Sequence, residues 1–263
     1  MTVLHSPQLD SSPWESTEAA PPTRLRVIVN RFVFRAMLFT MGMTAVVLYR
    51  VVPDKTVTWR FAKAQARNLL RMCGVRLRRS GLDRLGPGPY ILAPNHQSHL
   101  DIAALLGYLP GITRFAAKKE IFAQPVLGLV LRTMGMIPVD RDDPAKAIEL
   151  LNRRGSAFST VIFPEGTRSL DGRLLPFKKG AFVAAIELGI PIVPVVCKGT
   201  AKLMPKGKFL SILPGPAELI VLEPISTTGM TYEDRDRLRE LVRKKIEDEL
   251  GRRDEAPSAE HRP

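Results

Sequence analysis

Cysteine and histidine are both scarce in this chain of 263 residues, which has two cysteines and four histidines. Cys73 and Cys197 each lie among apolar neighbours, so we predict buried thiols in a reducing compartment, and neither a disulfide nor a nucleophile. The motifs G-x-S-x-G and G-x-x-x-x-G-K-[ST] are absent as well. The sequence therefore offers no serine elbow for an acyl-enzyme and no P-loop for a nucleotide.

A long apolar run is also missing, because a membrane-spanning helix needs roughly 20 apolar residues. Residues 25–52 are apolar but interrupted by arginines, and their uncharged core, residues 36–49, has fourteen residues. A run of this length is more typical of an interfacial or buried helix. We predict a helix that lies in one leaflet with its arginines at lipid phosphates. A short or tilted span is the alternative, since arginine side chains can snorkel.

Acidic residues are lacking from the same part of the chain. The formal net charge is +13, and residues 24–84 hold fourteen Lys and Arg against two acids, Asp54 and Asp83. Aromatic residues spaced for base stacking and nucleic-acid motifs are absent from this block, so we expect anionic membrane lipids and no nucleic acid as its partner. Together with the apolar segment at residues 25–52, a second basic helix at about residues 56–72 predicts a membrane-associated helical pair. Two ordinary amphipathic helices packed on the domain are the alternative.

The rest of the chain alternates short apolar runs with helical patterns. This predicts an α/β domain whose mixed, largely parallel sheet is flanked by helices. We divide the chain into a disordered tail (1–22), the basic helices (23–80), the α/β domain (81–251) and a second polar tail (252–263). The predicted strands are 90–94, 114–117, 136–140, 160–163, 192–197 and 218–222. The predicted helices of the domain are 98–108, 125–134, 144–153, 179–188 and 231–250.

Two of the four histidines follow a predicted buried strand, whereas His5 and His261 lie in the predicted tails. Ser98 is a natural N-cap for the next helix, which places His96 in the loop and Asp101 in the first helical turn. The bend between them allows the carboxylate to reach back to the imidazole. A carboxylate on one ring nitrogen fixes the tautomer and raises the basicity of the other nitrogen. If the chain uses a histidine as a general base, this geometry therefore favours His96 over His99.

Two plainer interpretations of this segment remain open from the residues alone. Asp101 would then only cap the helix, while His96 would only satisfy backbone groups. Alternatively His96, His99 and Asp101 would ligate a metal ion, but no neighbouring Cys, Glu or further His completes a typical set of ligands. We therefore predict no metal.

Four sequence blocks resemble, in order, those of the glycerolipid acyltransferase family, which includes the 1-acylglycerol-3-phosphate acyltransferases. The segment N-H-Q-S-H-L-D at 95–101 looks like the family's N-H-x-x-x-x-D block. G-M-I-P-V-D-R at 135–141 is similar to the second block, although Pro138 replaces an aromatic or aliphatic residue there. F-P-E-G-T-R-S at 163–169 and I-P-I-V-P-V at 190–195 match the third and fourth blocks, and A-K-K-E at 117–120 is also typical. The resemblance covers about residues 90–200.

The resemblance implies roles for particular residues. His96 would be the general base and Asp101 its partner. The glycerophosphate site would include Glu165, Gly166, Thr167 and Arg168, whose planar guanidinium suits phosphate. Lys118 and Arg141 would add positive charge, as would Lys119, for which solvent exposure is a serious alternative.

The resemblance also implies the reaction. We expect transfer of a fatty acyl group from a thioester, acyl-CoA or acyl carrier protein as co-substrate, to the hydroxyl of 1-acylglycerol-3-phosphate, which gives phosphatidate without a cofactor. Glycerol-3-phosphate or another lysophospholipid is the alternative acceptor. A catalytically silent membrane lipid-binding protein is the alternative of another class. We expect the inner, cytoplasmic face of the cell membrane as the location.

Overall fold

The computed structural model describes residues 24–140, 144–153, 158–207 and 212–252. The helices are α1 (Arg24–Val51), α2 (Lys55–Met72), α3 (Leu100–Tyr108), α4 (Pro125–Thr133), α5 (Pro144–Arg153), α6 (Gly180–Leu188), α7 (Thr200–Leu203) and α8 (Arg235–Gly251). The strands are β1 (Val75–Ser80), β2 (Ile91–Pro94), β3 (Thr113–Lys118), β4 (Ile137–Val139), β5 (Ser159–Val161), β6 (Ile192–Lys198) and β7 (Gly215–Val221). Both predicted tails lie outside the described residues, apart from Arg252.

The strands form one sheet in the order β1-β7-β6-β2-β5-β3-β4. From β6 to β4, neighbouring strands are parallel, whereas β7 is antiparallel to β6 and pairs in parallel with β1. The predicted mixed, largely parallel sheet is therefore confirmed. Because the parallel strands end at one edge, the loops after β2, β5 and β6 meet there, which is where open α/β sheets commonly bind ligands.

The central strands are buried on both faces, because helices cover the sheet from each side. Ile91 and Ala93 of β2 pack in a cluster with Phe182 of α6 and Leu238 of α8. Leu92 faces the other way, into a cluster that contains residues of α2 and α3. This burial explains why β2 and β6 consist largely of consecutive apolar residues, as is typical of parallel strands.

One strand contradicts the prediction for its segment. Residues 75–80, which we assigned to the basic helices, form β1 and pair with β7 at the edge of the sheet. Most of its side chains are at least partly exposed, and the sequence V-R-L-R-R-S therefore lacks the apolar signal of a buried strand. The sheet thus begins before residue 81.

Helices α1 and α2 share packing with the α/β domain. Trp59, Leu69 and Leu70 of α2 are buried in clusters with residues of α3 and of the sheet. A Cβ at Gly42 of α1 would lie 3.0 Å from a methyl group of Val130 in α4, so these helices are in close contact. Within the described residues, no helix combines the length and the apolar character that crossing a bilayer would require.

Helix α1 leaves large apolar side chains exposed between Leu25 and Phe39. The exposed fractions of Leu25, Ile28, Phe32 and Phe39 are 70%, 61%, 73% and 56%. Arg31 and Arg35 are exposed on the same stretch of helix. A folded domain rarely leaves so many large apolar groups together in water without a partner for them.

Candidate active site

The loops that follow β2, β5 and β6 bring the predicted catalytic residues together at the carboxyl edge of the sheet. Asn95 holds the first loop against the end of β6, because its side-chain amide donates to the carbonyl of Cys197 at 3.0 Å and accepts from the Cys197 N–H at 2.7 Å. Both cysteines are buried, as the sequence predicts. Burial raises the pKa of the Cys73 thiol to about 11 and that of Cys197 well above its usual value, so both stay protonated at neutral pH.

The imidazole of His96 lies against the carboxylate of Asp101. The distance from His96 Nδ1 to Asp101 Oδ2 is 3.0 Å, and the Asp101 side chain is fully buried while that of His96 is 12% exposed. Because an ionised carboxylate can only accept a hydrogen bond, this contact places the ring proton on Nδ1 and leaves Nε2 with a free lone pair. The predicted reach of Asp101 back to the loop is present in the fold.

The start of α3 differs in detail from the prediction. The helix begins at Leu100 and not at Ser98. Ser98 Oγ accepts from the Leu100 N–H at 3.2 Å and donates to the Met204 carbonyl at 2.9 Å. The carboxylate of Asp101 accepts from the N–H groups of Gln97 and Ser98 at 2.7 and 2.8 Å. Asp101 therefore bonds the backbone of the loop before α3 and orients His96 at the same time, whereas the N-cap residue of α3, His99, makes no side-chain capping hydrogen bond.

His99 is the second histidine of this loop. Burial, and then the positive charge of Arg168, lowers its pKa to about 4. A ring with this pKa is neutral at physiological pH but only weakly basic, which makes His99 a poor general base near neutral pH. Among the described residues, His, Cys, Asp and Glu side chains form no group of three that would hold a metal ion.

Glu165 is a buried carboxylate that joins two backbone segments. Its Oε1 accepts from the N–H of His96 at 2.7 Å, and its Oε2 accepts from the N–H of Leu175 at 3.0 Å. Burial raises its pKa to about 7, although both of these hydrogen bonds lower it. The carboxylate thus supports the loop that carries His96, whereas the family resemblance implies that it belongs to the glycerophosphate site.

The turn after Glu165 presents Arg168. Gly166 adopts a positive φ of 65°, a conformation that favours glycine. Thr167 is exposed, and Lys206 Nζ donates to its hydroxyl at 3.3 Å and to the carbonyl of Arg168 at 2.7 Å. The Nη1 atom of Arg168 is buried and has no hydrogen-bond partner among the described residues. A buried guanidinium nitrogen without an acceptor is costly, so this atom is suited to an anionic ligand.

The other predicted cations are less well placed by the fold. Lys118 is exposed at the end of β3. Lys119 is not merely solvated, because its Nζ forms an ion pair with Asp140 at 2.6 Å. Arg141 lies outside the described residues. The charge that these three residues would add to the site therefore stays a prediction.

Sequence reasoning missed three residues at this edge. Phe163 stacks on the His96 ring, Lys206 braces the Arg168 turn, and Thr200 donates to Asp101 Oδ1 at 2.5 Å. A signal for Thr200 was available, because it is a polar residue just after a buried strand, where the loops of a parallel sheet converge. Lys206 has no comparable local signal.

Comparison with known proteins finds the same family over this region. The family model described as Acyltransferase matches residues 76–198. The 1-acyl-sn-glycerol-3-phosphate acyltransferase of Saccharomyces cerevisiae is 32% identical over 85% of this chain and 79% of its own length. The chloroplastic 1-acyl-sn-glycerol-3-phosphate acyltransferase BAT2 of Brassica napus is 43% identical over 52% of this chain, and the match spans 41% of that relative's length.

A solved structure shares the fold as well. The crystal structure of the 1-acyl-sn-glycerophosphate (LPA) acyltransferase PlsC from Thermotoga maritima is 26% identical, with a TM-score of 0.71. The likeness covers 88% of this chain and 97% of that protein.

Proposed function

Because the chain belongs to the glycerolipid acyltransferase family, we propose that it transfers a fatty acyl group from a thioester to the hydroxyl of 1-acylglycerol-3-phosphate and so makes phosphatidate. One observation carries this proposal. An imidazole oriented by a buried carboxylate lies at the same sheet edge as a guanidinium whose buried Nη1 has no hydrogen-bond partner within the part of the chain that the structure describes. The first group suits proton removal from an alcohol, and the second suits the phosphate of the acceptor.

His96 acts as the base in this reaction. Its Nε2 takes the proton from the acceptor hydroxyl as the oxygen attacks the thioester carbonyl carbon. The carbon–sulfur bond then breaks, and the thiol leaves with the proton returned by His96. Asp101 stabilises the imidazolium that forms between these two steps. The absence of a serine elbow from the sequence favours this direct route over an acyl-enzyme.

Arg168 binds the phosphate of the acceptor. Burial lowers its pKa below the usual value, yet a guanidinium stays charged in proteins. Glu165 and Gly166 shape the turn that carries it, and Thr167 lies beside it. Lys118 and Arg141 add positive charge for the acidic substrates.

The N-terminal helices hold the enzyme on anionic lipids at the inner face of the cell membrane. The exposed apolar and basic side chains of α1 support this arrangement, since they suit an interfacial helix. Acyl-CoA or acyl carrier protein supplies the acyl group, and no cofactor takes part. Both donors are acidic, and both suit a basic protein surface.

The experiment measures thiol release by the purified chain on lipid vesicles. Acyl-CoA and acylated carrier protein serve as donors, and the acceptors are 1-acylglycerol-3-phosphate, glycerol-3-phosphate and a lysophosphatidylcholine. We expect the highest kcat/KM with 1-acylglycerol-3-phosphate. The His96→Ala variant should lose at least about 100-fold in kcat, the usual contribution of a general base.

The variant His261→Ala is the matched control and should keep full activity. Undiminished turnover by His96→Ala would overturn the mechanism. Higher kcat/KM with glycerol-3-phosphate would instead assign that acceptor. Vesicle binding without turnover on any acceptor would favour the lipid-binding alternative.

A further inference from the structure

Three side chains connect the loop of His96 with the end of β6 and with the segment that follows this strand. Asn95 bonds the backbone of Cys197 in both directions, Ser98 donates to the carbonyl of Met204, and Thr200 donates to the carboxylate of Asp101. The first two contacts reach backbone atoms, so they fix the path of the chain. The third reaches a side chain of the reaction centre itself.

The two oxygens of Asp101 are held by different groups. Oδ2 accepts from the N–H groups of Gln97 and Ser98 and from Nδ1 of His96, at 2.7 to 3.0 Å. Oδ1 accepts from the hydroxyl of Thr200 at 2.5 Å, and no other described residue bonds it. Asp101 is 0% exposed and Thr200 is 1% exposed. Within the described protein, therefore, Oδ1 depends on Thr200 for its hydrogen bond.

We propose that Thr200 is a positioning residue for acyl transfer, which holds the carboxylate of Asp101 so that Oδ2 stays against Nδ1 of His96. This inference rests on the proposed function. Without the hydroxyl, Oδ1 is a buried acceptor without a donor, and the carboxylate gains by turning toward other donors. Such a rotation of the carboxylate moves Oδ2 away from Nδ1 of His96. The imidazole is then no longer held in the tautomer that carries its proton on Nδ1 and leaves the lone pair of Nε2 free.

The backbone around Thr200 is shaped to bring its hydroxyl to this place. Gly199 adopts a φ of +83°, and a Cβ there would lie 2.9 Å from the carbonyl oxygen of Pro216. Only glycine fits that turn without strain, and the turn starts α7 at Thr200. The β-branched side chain of threonine then has few rotamers, which favours one direction of the hydroxyl. The family match ends at residue 198, two residues before this position.

Three variants test the proposal by steady-state kinetics. Thr200→Val keeps the shape but removes the hydroxyl, and we expect kcat to fall about 10- to 100-fold, in line with the loss of one buried bond to a charged group. The KM values for the acyl donor and for the acceptor should each change less than about 3-fold. Thr200→Ser restores the hydroxyl and should recover most of kcat.

The matched control is Thr227→Val, far from this edge of the sheet. The hydroxyl of Thr227 is also buried and bonds the carbonyls of Ala185 and Ile190 at 3.2 and 3.0 Å. Its loss should lower the melting temperature while kcat is unchanged. An equal loss of kcat in Thr200→Val and Thr227→Val would show that Thr200 only stabilises the fold, and it would overturn the proposal.

A second readout does not require turnover. Nitrogen NMR of ¹⁵N-labelled histidine reports which ring nitrogen of His96 carries the proton, with the signal assigned by His96→Ala. We expect the Nδ1–H form in the native chain and in Thr200→Ser, and a mixture in Thr200→Val. A native chain that shows this pattern but acylates no acceptor would refute the proposed function alone. An unchanged His96 tautomer together with an unchanged kcat in Thr200→Val would refute the positioning role alone.

Discussion

The ring of Phe163 lies over the imidazole of His96, with centroids 3.9 Å apart and an interplanar angle of 24°. Asp101 contacts the same imidazole at its Nδ1 edge. Phe163 therefore restricts the tilt of the imidazole ring, and Asp101 restricts the rotation of the ring in its own plane. Nε2 is left as the ring nitrogen that can face a substrate hydroxyl.

Replacement of Phe163 by leucine keeps an apolar side chain but removes the flat surface. We expect kcat to fall about 10-fold, because small losses of orientation at a catalytic group are costly. KM for the acceptor should be nearly unchanged. The control is Phe115→Leu, a buried core position in β3. It should lower the melting temperature without a change in kcat, and native kcat in Phe163→Leu would show that stacking does not orient His96.

The buried carboxylate of Glu165 predicts a pH dependence of stability. Burial raises its pKa from 4.5 to about 7 in the folded chain, so folding disfavours the ionised form. The stability that this group contributes is complete below pH 4.5 and is lost as the pH rises through 7. The shift in the pKa of Glu165 corresponds to a decrease of about 3 kcal/mol in the free energy of unfolding over this pH range.

The measurement compares urea unfolding of the native chain with that of Glu165→Gln between pH 4.5 and 8. The free energy of unfolding of the native chain should fall relative to that of the variant as the pH rises. Glu187→Gln, an exposed position on α6, is the control and should follow the native curve. Parallel curves for the native chain and Glu165→Gln would contradict the assigned shift.

The features that could be predicted from the sequence are those with a local cause. The strands β2 and β6 are consecutive buried apolar residues, and each of the six predicted strands overlaps an observed strand. The contact of Asp101 with His96 joins residues five apart, so the turn between them is enough to predict it. The family blocks added Glu165 and Arg168 by resemblance and not by geometry.

The features that escaped prediction depend on distant parts of the chain. Glu165 bonds the N–H of a residue 69 positions away, and Thr200 bonds a carboxylate 99 positions away. Only the completed sheet brings these partners to one edge. Strand β1 escaped for another reason, since an edge strand with exposed arginines has the composition of a solvated segment.

The Nη1 atom of Arg168, for which the described segments supply no hydrogen-bond partner, predicts a binding defect in variants of this residue. Arg168→Lys keeps the charge but loses the planar fork, and we expect KM for 1-acylglycerol-3-phosphate to rise about 10- to 100-fold, as for a lost hydrogen bond between charged groups. KM for the acyl donor should change little. Arg173→Lys is the matched control, since Arg173 is in the same loop but its side chain is 89% exposed. Equal KM values for the two variants would remove Arg168 from the phosphate site.

The exposed apolar side chains of α1 lead to the prediction that this helix binds the chain to membranes. Phe32 and Phe39 are 73% and 56% exposed, and the burial of each in lipid is worth about 2 kcal/mol. The double variant Phe32→Ser and Phe39→Ser should therefore lose at least about 10-fold in partitioning to phosphatidylglycerol vesicles, measured by cosedimentation. The control double variant Tyr232→Ser and Leu241→Ser removes exposed apolar groups from the C-terminal part of the chain and should bind like the native chain.

We predict that the arginines of α1 add a second, electrostatic contribution to the proposed membrane binding. Arg31 and Arg35 are exposed beside Phe32, so they can reach lipid phosphates while the apolar groups lie deeper. Binding should weaken in 0.5 M salt, which screens charges beyond a few ångströms, and on vesicles of phosphatidylcholine alone. The Phe double variant should keep the salt dependence while its affinity falls at every salt concentration. Native affinity in that variant would mean that α1 does not enter the lipid, and that its exposed face needs another partner.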